Sequence, residues 1–213
     1  MGSLHSALAL VIVICFLIFY AAWIVGAVYF GVKSHSGVRG WWRGQRRTLP
    51  RRLLLIAGVY VFSVLVGRTG GLWRQLRYWQ PGLALLGAAL AVASTALLLW
   101  ARWVLGTMWA SVPTVREHHE LRTDGPYGLV RHPIYTGLLG LVFGGMLARG
   151  FGVWVAFLIV AVPWMLLRVR AEDRLMAGRF GPAYEAYRAR VPALIPWTHR
   201  ARTDVEHRDG VKP

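Results

Sequence analysis

Long apolar runs dominate the first half of the chain. Residues 7–32 contain no charged side chain. A helix of this length, at a rise of about 1.5 Å per residue, crosses a hydrocarbon core of about 30 Å with some tilt. The run is longer than the apolar core of a signal peptide, which has about 7–15 residues, and no Lys or Arg precedes it. The pattern therefore predicts a first transmembrane helix.

Further apolar runs predict additional membrane segments. Residues 53–67 form a short second run, residues 82–101 a third, and residues 134–148 and 151–167 two more. Arg149-Gly150 separates the last two runs, which predicts a tight helical hairpin. The predicted fold class is all-α, a polytopic membrane protein with about five transmembrane helices, including this C-terminal hairpin.

Glycines recur along the first arm of the predicted hairpin. Gly137, Gly140, Gly144 and Gly145 lie within nine residues of one another, and Gly140 and Gly144 have the GxxxG spacing. Small residues at this spacing let two membrane helices approach closely. We expect them to allow close contact between the two arms of the hairpin.

The polar pattern predicts how the chain leaves the membrane. The second arm continues through Arg168, and residues 178–182 interrupt the helix. Tyr184, Tyr187 and Val191 recur at helical spacing, which predicts a short amphipathic helix against the membrane on the cytoplasmic side, ended by Val191-Pro192. The predicted divisions are N-terminal spans (1–110), a region with the hairpin and the polar residues (111–197) and a disordered tail (198–213).

Charge refines the topology. Lys and Arg number 25 against 9 Asp and Glu, a formal net charge of +16 that would indicate nucleic-acid binding in a soluble chain. Here the positive residues cluster at 33–52 and after 167, the bias expected of cytoplasmic segments, so we expect membrane lipids and no nucleic acid as partners. The asymmetry predicts an N-terminus outside a bacterial-type plasma membrane and residues 117–137 inside. The single cysteine, Cys15, lies within the first span, which excludes an intrachain disulfide.

A polar island at residues 117–137 carries the candidate chemistry. Arg131, His132 and Tyr135 stand where an apolar run resumes, and Arg168 and Glu172 are four residues apart, on one face of a helix. Because a hairpin returns the chain to the side it left, both groups must lie on one face of the membrane. Ionisable residues at the end of a span indicate function, and His132, Tyr135, Arg168 and Glu172 are expected to form a concave polar site.

A metal site is the first competing interpretation. Glu117, His118, His119 and Glu120 are possible ligands, but they match no HExxH pattern and no second cluster completes a coordination shell. We therefore predict no metal. The sequence also contains no GxSxG motif and no P-loop.

Several motifs together resemble those of the isoprenylcysteine carboxyl methyltransferases and the related phospholipid methyltransferases. In order, they are Thr123-Asp-Gly-Pro-Tyr127, Arg131-His-Pro-Ile-Tyr135-Thr-Gly137, Arg168-x-Arg-x-Glu172-Asp173, Phe180-Gly-Pro-Ala-Tyr184-x-x-Tyr187-x-x-x-Val191-Pro192 and Ile195-Pro196. They cover about 80 residues, and the first 110 residues are similar only as apolar spans. The resemblance implies an integral membrane enzyme that binds S-adenosylmethionine between the hairpin mouth and the C-terminal segment. It makes residues 111–197 the cofactor-binding and catalytic region.

The resemblance also implies a role for individual residues. It implies a cofactor site formed by His119, Glu120, Leu121, Arg122, Tyr127, His132, Pro133, Ile134, Tyr135 and Glu172. Arg168 is implied to contact the methyl acceptor and to act in catalysis. The implied acceptor is a lipophilic small molecule or a lipid-modified group, with a carboxylate as the leading candidate.

Other functions stay open from the sequence. A lipid amine or a small thiol is an alternative acceptor, and it would need a general base that a carboxylate does not need. A sterol-reductase-like NADPH enzyme is an alternative from another enzyme class, because those reductases have a C-terminal membrane architecture similar to the one predicted for this chain. A non-enzymatic membrane scaffold would account for the spans but not for the ionisable cluster. The oligomeric state stays open as well.

Overall fold

The computed structural model describes residues 2–33, 71, 75–106 and 121–196, and all regular structure in these ranges is helical. The helices are α1 (Gly2–Lys33), α2 (Pro81–Leu105), α3 (Pro126–Leu129), α4 (Pro133–Arg149), α5 (Gly152–Phe180) and α6 (Pro182–Arg190). Three of them are long and apolar enough to cross a membrane, at Gly2–Gly26, Pro81–Leu105 and Gly152–Phe180, and α4 is a shorter apolar helix. The predicted all-α polytopic membrane fold is confirmed.

Some predictions fall outside the described residues. These are the second span at residues 53–67, the basic loop before it, His118, His119, Glu120 and the tail beyond residue 197. The predicted total of about five spans and the division into three regions therefore stay predictions.

Among the described helices, α2 and α4 approach each other closely where two glycines meet. A Cβ atom on Gly144 would lie 2.6 Å from the carbonyl oxygen of Gly87, and a Cβ atom on Gly87 would lie 2.6 Å from that of Gly144. No larger side chain fits at either position without separating the backbones. This contact holds α4 along α2.

The four predicted glycines form one face of α4, the glycine face. The expectation that this face joins the two arms of the hairpin was wrong for three of the four glycines. Gly137 and Gly140 approach Ser94 of α2, and Gly145 alone of the four predicted glycines contacts α5, at Trp154. The physical reason is that α2 carries its own small residues opposite this face, so the two backbones can approach there. Spacing within one helix does not reveal which neighbour is complementary.

The core lies where α1 packs against this pair. Cys15 is buried there and belongs to a cluster with Ile12, Phe19, Ala91, Leu98, Leu141 and Ala148. Because α1, α2 and α4 all contribute, the N-terminal span supports the helix that carries the polar motif at its start.

The closed end of the hairpin is fixed by the loop before α2. Gly150 has φ +92°, a conformation that favours glycine, and Trp79 Nε1 donates a hydrogen bond to the Ala148 carbonyl at 3.1 Å. The Gly152 amide donates to the carbonyl of Leu76 at 3.3 Å. The predicted break at Arg149-Gly150 is confirmed.

The open end of the hairpin continues beyond membrane length. As predicted, α5 runs without interruption through Arg168 and ends at Phe180, where Gly181 has φ +49° and Pro182 begins α6. The amphipathic pattern of α6 is confirmed, but the predicted position of its tyrosine face against the membrane was wrong. Tyr184 and Tyr187 are buried against α3 and α5, because their hydroxyls find hydrogen-bond partners there, and this face does not lie against the membrane.

Gly144→Ala is expected to lower stability. The added methyl group would meet the backbone of α2, and overpacking of this kind costs about 1–3 kcal/mol. The measurement is the midpoint of thermal unfolding in detergent. Gly178→Ala is the matched control, because nothing lies within 4 Å of its Cβ position in α5, and alanine favours the helix by up to about 1 kcal/mol. Equal midpoints for the two variants would contradict the packing described.

Candidate functional site

The carboxylate of Asp173 joins three separate elements. It accepts hydrogen bonds from Arg131 Nη2 at 3.0 Å, His132 Nε2 at 2.7 Å and the Tyr184 hydroxyl at 2.5 Å. Asp173 lies in α5, Arg131 and His132 precede α4, and Tyr184 lies in α6. Site prediction from the sequence missed Asp173 and Tyr184, although both lie within the motifs that resemble the methyltransferases. Asp173 could have been found as half of an acidic pair in a chain with few acids.

The neighbouring carboxylate, Glu172, has a different environment. Its Oε1 accepts a hydrogen bond from the Tyr135 hydroxyl at 2.5 Å, and its Oε2 lies 3.6 Å from His132 Nδ1. Its side chain is 24% exposed, against 13% for Asp173. The acidic pair is therefore divided: Asp173 is occupied by protein groups, and Glu172 remains accessible to a bound molecule.

Arg168 completes this accessible side. Its Nη2 lies 3.8 Å from Glu172 Oε1, and its guanidinium carbon lies 5.9 Å from the centre of the Trp164 ring. Its Nε is buried and has no hydrogen-bond partner among the described residues. Donor capacity at Arg168 is thus available beside the Glu172 carboxylate.

The imidazole of His132 is buried between the two acids. Burial lowers its pKa, but the hydrogen bonds to Asp173 and Glu172, together with their negative charges, outweigh burial and raise the pKa above its usual value of 6.5. The protonated ring then contributes stability that is present at low pH and is lost as pH rises through the raised pKa.

The start of α4 is held by the C-terminal segment. The backbone amides of Arg131 and His132 donate to the carbonyls of Pro192 and Ala193 at 2.8 and 3.0 Å, and the Thr136 hydroxyl donates to the Leu194 carbonyl at 2.8 Å. Arg131 Nη1 also donates to the Arg188 carbonyl at 3.0 Å. The sequence did not predict that residues 192–194 would pair with this turn.

Tyr127 occupies a supporting position. Its ring is buried, its hydroxyl donates to the Ala101 carbonyl of α2 at 3.4 Å, and its own carbonyl accepts a hydrogen bond from the Tyr187 hydroxyl at 2.6 Å. Burial raises the pKa of Tyr127 well above its usual value, and burial raises that of Tyr187 to about 12, so both phenols are neutral. The described contacts of Tyr127 connect α2, α3 and α6.

The other predicted cofactor residues lie around this cluster. Pro133 is fully buried at the first position of α4, and the side chain of Ile134 packs against the apolar core. A contact between Ile134 and a polar cofactor group would therefore involve its backbone. Leu121 and Arg122 are partly buried at the start of a described range. His119 and Glu120 lie outside the described residues, and all these roles stay predictions.

The assembled group has the donors and acceptors of a binding site for a charged molecule. It presents a carboxylate, a guanidinium, a phenol and an imidazole at the open end of the hairpin. The first turn of α4 has no capping side chain among the described residues, which leaves backbone N–H groups at a helix N-terminus, where anions are favoured. Within the described ranges, no group of three or more His, Cys, Asp or Glu side chains could hold a metal ion.

Comparison with known proteins identifies relatives of this site. The pattern of the phospholipid methyltransferase family matches residues 83–183. Protein-S-isoprenylcysteine O-methyltransferase of Schizosaccharomyces pombe is 38% identical over 81 residues, which are 38% of this chain and 34% of that protein. Methanethiol S-methyltransferase 2 of Bradyrhizobium diazoefficiens is 28% identical over 193 residues, which are 84% of this chain and 72% of that protein.

A third relative carries a different name. The cobalt-zinc-cadmium resistance protein CzcN of Cupriavidus metallidurans is 32% identical over 94 residues, 43% of each chain. The matches to CzcN and to the Schizosaccharomyces pombe methyltransferase span less than half of the length of those two relatives. The family match covers most of α2, all of α3, α4 and α5, and the Glu172–Asp173 pair. Residues 83–183 are thus similar to the phospholipid methyltransferase family, as the motifs predicted.

Proposed function

We propose that the protein is a membrane methyltransferase that uses S-adenosylmethionine to methylate a lipophilic acceptor, most readily a carboxylate. The observation that carries the proposal is the accessible Glu172 carboxylate, held by Tyr135 and flanked by Arg168 at the open end of the hairpin. The match of residues 83–183 to the phospholipid methyltransferase family supports methyl transfer as the reaction class. The proposal includes a cytoplasmic site and an N-terminus outside.

The residues present fit the proposed donor. S-adenosylmethionine has an ammonium, a carboxylate and a sulfonium, and when bound it supplies an electrophilic methyl group. Glu172 offers a negative charge for the ammonium, and in the first turn of α4, after His132 and Pro133, the amides of Ile134 and Tyr135 offer donors for the carboxylate. Leu121, Arg122 and Tyr127, with His119 and Glu120 outside the described residues, complete the proposed site by resemblance to the family.

Arg168 is the proposed acceptor-binding and catalytic residue. Its buried Nε, without a hydrogen-bond partner among the described residues, can donate to an acceptor oxygen, and a charged donor of this kind fixes orientation as well as affinity. Orientation is a large part of what a transfer between two bound molecules requires. When an anion accepts the methyl group of the sulfonium cation, the two opposite charges disappear. Water stabilises the separated charges, so a site at the membrane edge that excludes water favours the transfer.

The chemistry of the acids and of the histidine supports an anionic acceptor. Asp173 accepts three hydrogen bonds, and His132 lies between two carboxylates that keep its proton in place. Asp173 and the protonated ring of His132 are therefore poor general bases. A carboxylate acceptor needs no base, so it is the acceptor class that this arrangement favours.

One observation favours a second candidate, a thiol acceptor. The match to methanethiol S-methyltransferase 2 extends over 84% of this chain, including its N-terminal spans, whereas the match to the yeast isoprenylcysteine enzyme covers 38%. A thiol would have to lose its proton, and Glu172 is the accessible carboxylate for that step. Transfer of a labelled methyl group to prenylated thio-acids, lipid amines and small thiols separates these acceptors.

Glu172→Gln is expected to weaken binding of S-adenosylmethionine about tenfold or more, because hydrogen bonds to charged groups contribute about 1.5–3 kcal/mol. The measurement is calorimetric titration of the purified protein in detergent. Glu185→Gln is the matched control, since Glu185 is an exposed acid on α6, and it should bind like the wild type. Tight binding of NADPH with no response to S-adenosylmethionine would contradict the proposal.

Arg168→Ala is expected to lower kcat or raise the KM for the acceptor while the Kd for S-adenosylmethionine stays largely unchanged, because the guanidinium is assigned to the acceptor. Steady-state rates with the best acceptor, together with the same calorimetric titration, provide the test. Arg170→Ala, at an exposed arginine of α5, serves as the control. If Arg168→Ala and Glu172→Gln lose donor affinity equally, the two residues do not have separate roles.

A further inference from the structure

We infer that Asp173 is a positioning residue that fixes the orientation and charge of the His132 ring, so that a protonated Nδ1 faces and holds Glu172. The inference rests on the proposed function, because it is Glu172 that is proposed to bind the methyl donor. It concerns a residue that the proposed function places in neither the donor site nor the acceptor site.

The first step concerns the proton on Nε2. An ionised carboxylate only accepts hydrogen bonds, so the 2.7 Å contact between Asp173 Oδ1 and His132 Nε2 requires the proton on Nε2. Arg131 and Tyr184 hold the same carboxylate from two other elements. The ring therefore has a fixed rotation, with Nδ1 directed to the other side.

The second step concerns Nδ1. This atom lies 3.6 Å from Glu172 Oε2, while Glu172 Oε1 is held by the Tyr135 hydroxyl. In the protonated ring, Nδ1–H presents positive charge to Oε2. In the neutral ring with its proton on Nε2, Nδ1 presents a lone pair, which repels the carboxylate. The charge of His132 thus controls how firmly Glu172 is held.

The third step identifies the group that titrates. The charged and titratable groups around the ring are Asp173 and Glu172 of α5, Tyr135 of α4, the adjacent Arg131, Tyr184 of α6 behind Asp173, and Arg168 behind Glu172. Burial, followed by the hydrogen bond to Asp173, raises the pKa of Tyr184, so it stays neutral. His132 is the imidazole among these described groups, and imidazole is the side chain whose ordinary pKa lies nearest to neutral pH.

The direction of the effect follows from charge. Both acids favour the protonated ring against the effect of burial, and Asp173 is the nearer of the two. Replacing Asp173 by Asn removes its charge and keeps its shape. We expect His132 to become neutral at a lower pH in that variant, and Glu172 to be held less firmly at pH 7.

The test is NMR titration of the histidine rings in the full-length protein in detergent micelles, without any methyl donor. The His132 signals are assigned as those missing from His132→Gln. Asp173→Asn should lower the pKa of His132 by about one unit or more, and Glu172→Gln by less, because its contact is longer. Tyr184→Phe breaks the hydrogen-bond network but keeps the Asp173 charge, and should shift the pKa least.

A wild-type measurement guards against a variant that fails to fold. Above the pKa, the nitrogen shifts of neutral His132 should show the proton on Nε2. A proton on Nδ1, or a His132 pKa below 6.5 in the wild type, would overturn the inference. So would an unchanged pKa in a folded Asp173→Asn variant.

A second readout links the titration to binding. The affinity of the wild type for S-adenosylmethionine should fall as pH rises through the His132 pKa, and in Asp173→Asn this fall should move to lower pH by the same shift. Glu185→Gln should leave both pH profiles unchanged. If the ring titrates as expected and S-adenosylmethionine does not bind, the proposed function fails alone. If S-adenosylmethionine binds and its pH profile is the same in Asp173→Asn, the inference fails alone.

Discussion

The Asp173 carboxylate connects parts of the chain that are 11, 41 and 42 residues away from it. A partly buried charge with three hydrogen-bond donors is stable only while those donors stay in place, because an unpaired buried charge is costly. The donors in turn belong to the residues just before α4 and to α6. None of these elements can therefore move without leaving a charge exposed to water or unpaired. Successive residues on a helix point about 100° apart, which turns Glu172 away from this network and toward the accessible side.

The glycine contact between α2 and α4 supplies the second constraint. Gly87 and Gly144 allow the two backbones to touch, and the Asp173 network lies at the other end of α4, beside its first turn. Between them, these two contacts fix the position of the helix that carries Tyr135 and that His132 directly precedes. The polar site therefore depends on a packing contact well inside the apolar bundle, in addition to its own hydrogen bonds.

Local pattern was enough to predict the hairpin, the break at Arg149-Gly150 and the shared face of Arg168 and Glu172. Those features follow from apolar periodicity and from the parity of membrane crossings. The meeting of Tyr135 with Glu172 was also expected on these grounds, and the structure contains that hydrogen bond. Sequence reasoning did not reveal the Asp173 network, the pairing of residues 192–194 with the start of α4, or the partner of the glycine face, because each depends on which distant element lies opposite.

The claim that Tyr135 and Glu172 bind the methyl donor as one unit can be measured directly. A double-mutant cycle compares the Kd of S-adenosylmethionine for the wild type, Tyr135→Phe, Glu172→Gln and the double variant. Residues joined by a hydrogen bond show coupling of about 0.5–3 kcal/mol, so Tyr135→Phe should cost much less affinity in the Glu172→Gln background than in the wild type. Strictly additive losses would contradict a site built from the mouth of the hairpin and the extension of α5.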